Sequence, residues 1–279
     1  MKTVENNYET DSQKILSYQQ ANGGEFWATA DGNLLKGAPF TTIESPVYLL
    51  DLGMSKDDSI MLKCQEKIFN TWMEDGRFRL IPKGTIYPCQ TVRALNTLCK
   101  MGATSDERLQ RTFDYLIDTQ EADGGWKCQK YSFGRGAETN YSTPMTTLIA
   151  LDCFRHLDTK AYEQKLNNAV EFLLQHWDIK RPIGPCHHGI GTLFMQGEYP
   201  FRSYNLFYYL YVLSFYSYAH KDLRFLNALE ELKQKIQDGQ VIVERVVPKL
   251  AKLDFCEKGK KSALATKRYN ELLKNLGVG

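Results

Sequence analysis

Over most of the chain, apolar residues recur at three- and four-residue steps, the spacing of one face of an α-helix. Two kinds of segment alternate. In 105–119, Leu109, Phe113, Leu116 and Ile117 share one face; in 161–176, Leu166, Val170, Leu173 and Leu174 do the same. Polar residues fill the opposite face, so these stretches predict helices wetted on one side and packed on the other. The segments 45–53, 88–102, 143–157 and 204–219 are apolar nearly all round and poor in charge. A helix without a polar face must be buried. Pro46, Pro88 and Pro144 stand at or just before the starts of three of them, where a missing N–H costs nothing. A final helix is expected over 263–276.

The ends of the wetted helices share a spacing. Gln20, Gly24 and Phe26 form Q-x3-G-x-F; Trp72, Gly76 and Phe78 form W-x3-G-x-F; Gln120, Gly124 and Trp126 form Q-x3-G-x-W. A weaker copy runs from Lys235 through Gly239 to Val241. A period of roughly 50 residues marks a repeat architecture. No Pro- or Ser-rich linker separates the copies, so residues 1–279 are expected to form one domain of about five to six helical hairpins. Buried and half-exposed helices alternating at that period predict two concentric layers, with the last helix closing the ring.

The Q-x3-G-x-W spacing on helical hairpins resembles the QW repeat of squalene and terpene cyclases and of protein prenyltransferase β subunits. The resemblance spans roughly residues 11–278 and implies an all-α fold, a single α/α toroid. It also implies an enzyme of the transferase or cyclase type, acting on an isoprenoid-like apolar substrate in a central cavity. The other reading is a non-catalytic toroid serving as a binding or scaffold module.

Composition narrows the function little. Hydrophobic residues are 43% and charged residues 24%, ordinary for a globular chain. A net charge of +2 gives no general case for nucleic acid. The N-terminal residues lack an apolar core of the signal-peptide kind, and the longest uncharged run, 203–219, is too short to span a bilayer. A soluble cytoplasmic protein is expected. Seven cysteines in such a setting argue for reduced thiols or metal ligands.

Candidate chemistry is sparse. No Asp-rich acid motif opens a buried helix, so Asp152, which precedes Cys153, is the nearest candidate acid; an ion pair with Arg155 is the competing reading. Cys89, Cys128, Cys186 and Cys256 lie in turns or helix starts that a toroid brings to one rim. With His187 they contain enough sulfur and nitrogen ligands for a tetrahedral zinc. Trp126-Lys-Cys128 followed by Cys186-His187-His188-Gly189 also resembles the rim zinc segments of lanthipeptide cyclases. Buried thiols are the alternative for these cysteines. On the fourth buried helix, Tyr204, Tyr208, Tyr211, Phe215 and Tyr218 form an aromatic stripe that fits either a substrate cavity or plain helix packing. Arg79, Lys83, Arg135, Arg202, Lys260 and Lys261 fall near buried-helix starts as candidate anion ligands, Arg135 being flanked by glycines.

Overall fold

The computed structural model describes residues 8–128 and 136–278. They form eleven α-helices, three short 3₁₀ turns and one two-stranded hairpin. The helices are α1 (Glu9–Leu16), α2 (Ser45–Asp51), α3 (Ser59–Phe69), α4 (Pro88–Lys100), α5 (Glu107–Asp118), α6 (Pro144–Phe154), α7 (Glu163–Ile179), α8 (Leu206–Leu213), α9 (Ser217–His220), α10 (Leu223–Lys233) and α11 (Ala263–Asn275). The fold is all-α. None of the described helices is long and apolar enough to cross a membrane.

The half-exposed helices start on polar caps. The carboxylates of Asp58, Asp106 and Asp222 accept from the backbone N–H two residues on, at 2.8–2.9 Å, opening α3, α5 and α10. The buried helices α2, α4 and α6 start instead on proline. Every residue of α6 and α8 is buried, whereas α5 buries only Leu109, Thr112, Phe113 and Leu116.

Contacts run from one buried helix to the next and on to the half-exposed α11. α2 contacts α4, α4 contacts α6, α6 contacts α8, and α8 contacts α11. The succession returns to its start where Arg268 of α11 meets Asp51 of α2 at 2.5 Å; the Tyr199 hydroxyl donates to the same carboxylate at 2.9 Å. A second seam lies nearby. The Asp11 carboxylate accepts from the backbone N–H groups of Asp254 and Phe255, at 3.1 and 2.9 Å.

Two segments depart from the sequence reading. The helix expected over 204–219 is cut short, as α8 starts at Leu206 and ends at Leu213, before α9 begins. Asn205 caps its start by accepting from the Tyr208 N–H. At its end, the Ser214 hydroxyl bonds back to the Tyr211 carbonyl, and a His220 ring nitrogen bonds the Ser214 carbonyl, so local bonds replace the helical ladder. The weak repeat copy at 235–241 is a β-hairpin, Ile236–Gln237 paired with Gln240–Val241. Its Asp238-Gly239 turn has φ of 50° and 74°, the mirror-image turn that suits a tight hairpin.

The repeat motif does real structural service in its third copy. Trp126 is buried and donates its indole N–H to the Leu116 carbonyl at 2.8 Å. Gln120 donates to the Gly124 and Lys165 carbonyls, tying the end of α5 to α7. Thr143 N–H donates back to the Trp126 carbonyl, seating the turn on the start of α6. In the first copy the roles shift. Trp27, not Phe26, is the fully buried ring, and it donates to the Ile15 carbonyl at 3.1 Å. Phe26 and Trp27 both have positive φ, which rotates the pair by one place. Gln20 is exposed, and Asn22 does its work by donating to the carbonyls of Trp27, Lys36 and Phe40. Gly24 keeps its part, since a Cβ there would meet the Thr29 carbonyl oxygen at 2.5 Å.

Candidate functional site: a channel between the buried helices

Three adjoining pockets run between α2, α4, α6 and α8. The first, of about 410 Å³, lies at the helix starts, against Arg93, Met145 and Tyr204. The second is a neck of about 80 Å³ that shares Arg93, Met145 and Arg202 with the first. The third, of about 350 Å³, shares Tyr48, Lys100 and Phe201 with the neck and reaches the helix ends at Asp51 and Arg155. The buried helices therefore run in one direction along this channel, starts at one mouth and ends at the other.

The aromatic stripe of α8 follows the same line. Tyr204 lines the first pocket, Tyr208 the neck and Tyr211 the third pocket. Phe201 stacks on Tyr208 with ring centres 4.9 Å apart, and Ile43, Val47, Met145 and Ile149 give the neck an apolar side; Glu44, Arg93, Asn96, Thr97, Lys100 and Arg202 line the rest. Phe215 and Tyr218 line none of the three. Phe215 packs edge-on against Tyr211 and beneath the Arg155 guanidinium at 4.5 Å; Tyr218 is exposed. The stripe hydroxyls are taken up by the protein: Tyr208 donates to Asp152, Tyr211 to Glu271, and Tyr204 bonds His176 Nδ1. Among the described residues, the Tyr48 hydroxyl, which lines the neck and the third pocket, has no hydrogen-bond partner and is only 3% exposed.

Asp152 sits fully buried beside the third pocket. Lys100 Nζ approaches it at 2.9 Å and Arg155 Nε at 2.5 Å; Asn96 Nδ2 and the Tyr208 hydroxyl donate to it at 2.8 Å each. Burial acts to raise this carboxyl, and the Lys100 and Arg155 charges outweigh it, holding the group well below the ordinary carboxylate range. A carboxylate fixed in its ionised form has no proton to donate at neutral pH. Asp152 is thus the counter-ion of a buried network. Arg155 is one of its partners, as the ion-pair reading has it, and Lys100, from a different helix, is the other. Next to this network, burial and the Arg155 charge push the His156 imidazole down to about 4, so the ring is neutral, and its Nε2 has no partner among the described residues.

The first pocket is different in kind. Its lining holds Arg93, Arg202 and Arg245, two histidines, and no carboxylate. Arg202 is paired with Glu44 at 2.7 Å. Among the described residues, Arg93 makes no ion pair or hydrogen bond; the Arg245 guanidinium reaches the Leu193 carbonyl at 3.4 Å, and its charge acts on the nearby buried carboxyl of Glu198. Sequence reasoning placed Arg202 near this mouth but missed Arg93 and Arg245. The signal for Arg93 was present: it is the one charge between Pro88 and Cys99 in a helix otherwise apolar or neutral. Arg79, Lys83, Lys260 and Lys261 line none of the three pockets. Arg135 lies outside the described residues.

The cysteine reading needs correction. Cys128 and Cys186 do come together, but as a disulfide. Two turns meet at the start of α6 to allow this. Thr143 holds the Cys128 N–H, and the Gly184 N–H donates to the Glu138 carbonyl. Only glycine fits at 184, where φ is 75° and a Cβ would meet the Ser142 carbonyl oxygen at 2.6 Å. Cys89 is close by, its N–H facing the Cys128 carbonyl at 3.5 Å, with a free thiol that burial pushes up. Cys256 is elsewhere, buried, donating its thiol to the Leu250 carbonyl. His187 is exposed at φ 51° and lines the first pocket. With Cys128 and Cys186 bonded to each other and Cys256 remote, the residues do not fit a zinc site, and no group of three or more metal-ligating side chains gathers among the described residues.

No family model matches the chain. No curated protein matches it either. The channel's own chemistry therefore carries the functional reading.

Proposed function

We propose that the chain is a single α/α toroid that holds one elongated, apolar, isoprenoid-like molecule along its axis, as a prenyltransferase- or terpene-cyclase-like protein. The observation that carries the reading is the row Tyr204, Tyr208 and Tyr211 lining three successive pockets, with Ile43, Val47, Met145, Ile149 and Phe201 on the apolar side of the neck. The succession of contacts from α2 through α4, α6 and α8 to α11, and the Arg268–Asp51 pair back to α2, supports the toroid. Stacked Phe201 and Tyr208 offer π faces able to stabilise a cationic centre by ~0.5–2 kcal/mol each. The neutral His156, with Nε2 free beside the third pocket, is the channel's proton acceptor. The ionised state of Asp152 favours a second reading, a toroid that binds such a molecule without transforming it.

Native mass spectrometry with farnesol and geranylgeraniol tests the occupant. One chain-bearing alcohol per protein is expected, and Ile149→Trp, which fills the neck, should abolish it while leaving the helical circular dichroism intact. Failure of every apolar chain to bind sinks the reading. Binding with no change in the bound molecule's mass, across candidate acceptors, selects the non-catalytic form.

A further inference from the structure

Among the described residues, four buried side-chain polar atoms have no hydrogen-bond partner, and two of them belong to residues that line the third pocket. One is the hydroxyl of Tyr48, a residue of α2 that is only 3% exposed. The other is Nε2 of His156, just past the end of α6. The remaining two, on Ser45 and Gln90, line none of the three channel pockets. A buried donor or acceptor without a partner costs free energy, and native proteins leave few of them. Two on one cavity of about 350 Å³, a size typical of small-molecule sites, point to a ligand that supplies what the chain does not.

The surroundings decide the chemistry. Asp51 holds Arg268 and the Tyr199 hydroxyl, and Lys100 and Arg155 share Asp152, so these charges require no further ion. Lys56 is exposed to water. The other walls are Val47, Leu50, Met54, Pro200, Phe201 and Tyr211. The group that is missing is therefore neutral and carried on an apolar body. The Arg202 charge lies beside the Tyr48 hydroxyl, but a guanidinium only donates, so the hydroxyl hydrogen still lacks an acceptor. His156 is neutral, and its Nε2 is a lone pair in one tautomer and an N–H in the other. A carbonyl would accept from Tyr48 yet serve only the N–H form. An ammonium group would serve only the lone-pair form, and would meet Lys56, Lys100, Arg155 and Arg268. A hydroxyl both accepts and donates, and so serves Tyr48 and either form of His156.

Resting on the reading that the channel holds an elongated apolar molecule, we propose that this molecule is a long-chain alcohol whose neutral hydroxyl end sits in the third pocket, bonded by Tyr48 and His156. Its chain runs back along Phe201 and Tyr208 on the apolar side of the neck. The polar end thus lies at the helix ends, away from the arginine-lined mouth at the helix starts.

Calorimetric titration with octanol, 1-chlorooctane and octanoate, each below its solubility or micelle limit, tests this. Octanol should bind about tenfold or more tighter than 1-chlorooctane, which has the same chain and no hydroxyl, and tighter than octanoate. Tyr48→Phe and His156→Phe should each cost octanol about fivefold while leaving 1-chlorooctane unchanged. Tyr48→Phe removes a hydroxyl that has no acceptor, so its melting temperature should equal or exceed that of the parent. Equal affinity for alcohol and chloride overturns the proposal, as does a preference for octanoate. So does a Tyr48→Phe loss that falls on octanol and 1-chlorooctane alike, or a hydroxyl preference that survives both substitutions. Failure of all three chains to bind sinks the channel reading and this proposal with it, whereas binding without a hydroxyl preference sinks the proposal alone.

Discussion

The two ends of the channel are both rich in cations, yet they use them in opposite ways. At the helix ends, Lys100, Arg155 and Arg268 are locked to Asp152, Asp51 and Glu271. At the helix starts, Arg93 is paired with no carboxylate among the described residues, and Arg245 has Glu198 nearby without a direct ion pair. A buried, fully partnered charge belongs to the structure. An unpaired arginine in a cavity is available to something that is not part of the chain. The difference teaches that counting cations in a pocket says little until each has been assigned its counter-ion.

The sharpest way to break the comparison is to remove Asp152. Asp152→Ala strands Lys100 and Arg155 without their shared partner and should destabilise the fold by about 3–5 kcal/mol in urea unfolding. A loss under about 1 kcal/mol would mean that the far end is no more integrated than the near one. Trp126→Ala should cost a similar ~3–5 kcal/mol, because the indole both fills the core and anchors the turn that opens α6 at the near end. Trp27→Ala should match it, while Phe26→Ala should cost far less; the reverse order would show that the first repeat copy is seated as its spacing implies. Reduction of the Cys128–Cys186 disulfide, which closes a 58-residue separation, should lower stability by about 2–4 kcal/mol. Melting with and without reductant checks this, and alkylation mass shifts show whether the bond was present.

Acid should act on both ends. Burial pushes His176 and His188, near the helix starts, and His156, at the helix ends, down to about 4. In the unfolded chain these rings titrate near the ordinary value of about 6.5. Between the two values the unfolded state binds more protons, so stability is fully present above about pH 6.5 and falls as pH drops toward 4. The fully buried His176, with Nδ1 on the Tyr204 hydroxyl and Nε2 facing the Arg181 carbonyl, contributes at most about 3 kcal/mol of this loss. His176→Asn should flatten the stability profile in that window. The smallest effect belongs to Arg93→Gln, expected within about 0.5 kcal/mol of the parent, since an exposed unpaired side chain supports nothing. A large loss there would erase the distinction between the two ends.

Much of the helical framework was legible in periodicity, because the contrast between one-faced and all-round apolar helices directly encodes which side meets water. The row of channel tyrosines was legible for the same reason, as Tyr204, Tyr208 and Tyr211 recur at helical spacing. What was hidden depends on which segments meet. The second cation on Asp152 comes from a helix about fifty residues earlier in the chain, beyond the reach of any local pattern. The exchange of Gln20 for Asn22 and of Phe26 for Trp27 follows from two consecutive left-handed residues, which spacing alone does not reveal. The disulfide required two separate turns to converge on the start of α6, and Arg93 stood in plain view as a charge whose meaning depended on the absence of a neighbour.

The seam between α2 and α11 has a consequence for how the molecule comes into being. Arg268 and Asp51 are 217 residues apart in the chain, and Asp11 waits for backbone groups more than 240 residues away. During synthesis at about 5–20 residues per second, the helices up to α8 can pack on their predecessors long before α11 leaves the ribosome. Through that interval the wall that Arg268 supplies to the third pocket is missing. Closing a loop of that length is an entropic cost met only at the end, so docking of α11 against α2 is expected to be the slow, last step of folding. Until that contact forms, the third pocket stays open on the side that Arg268 later covers.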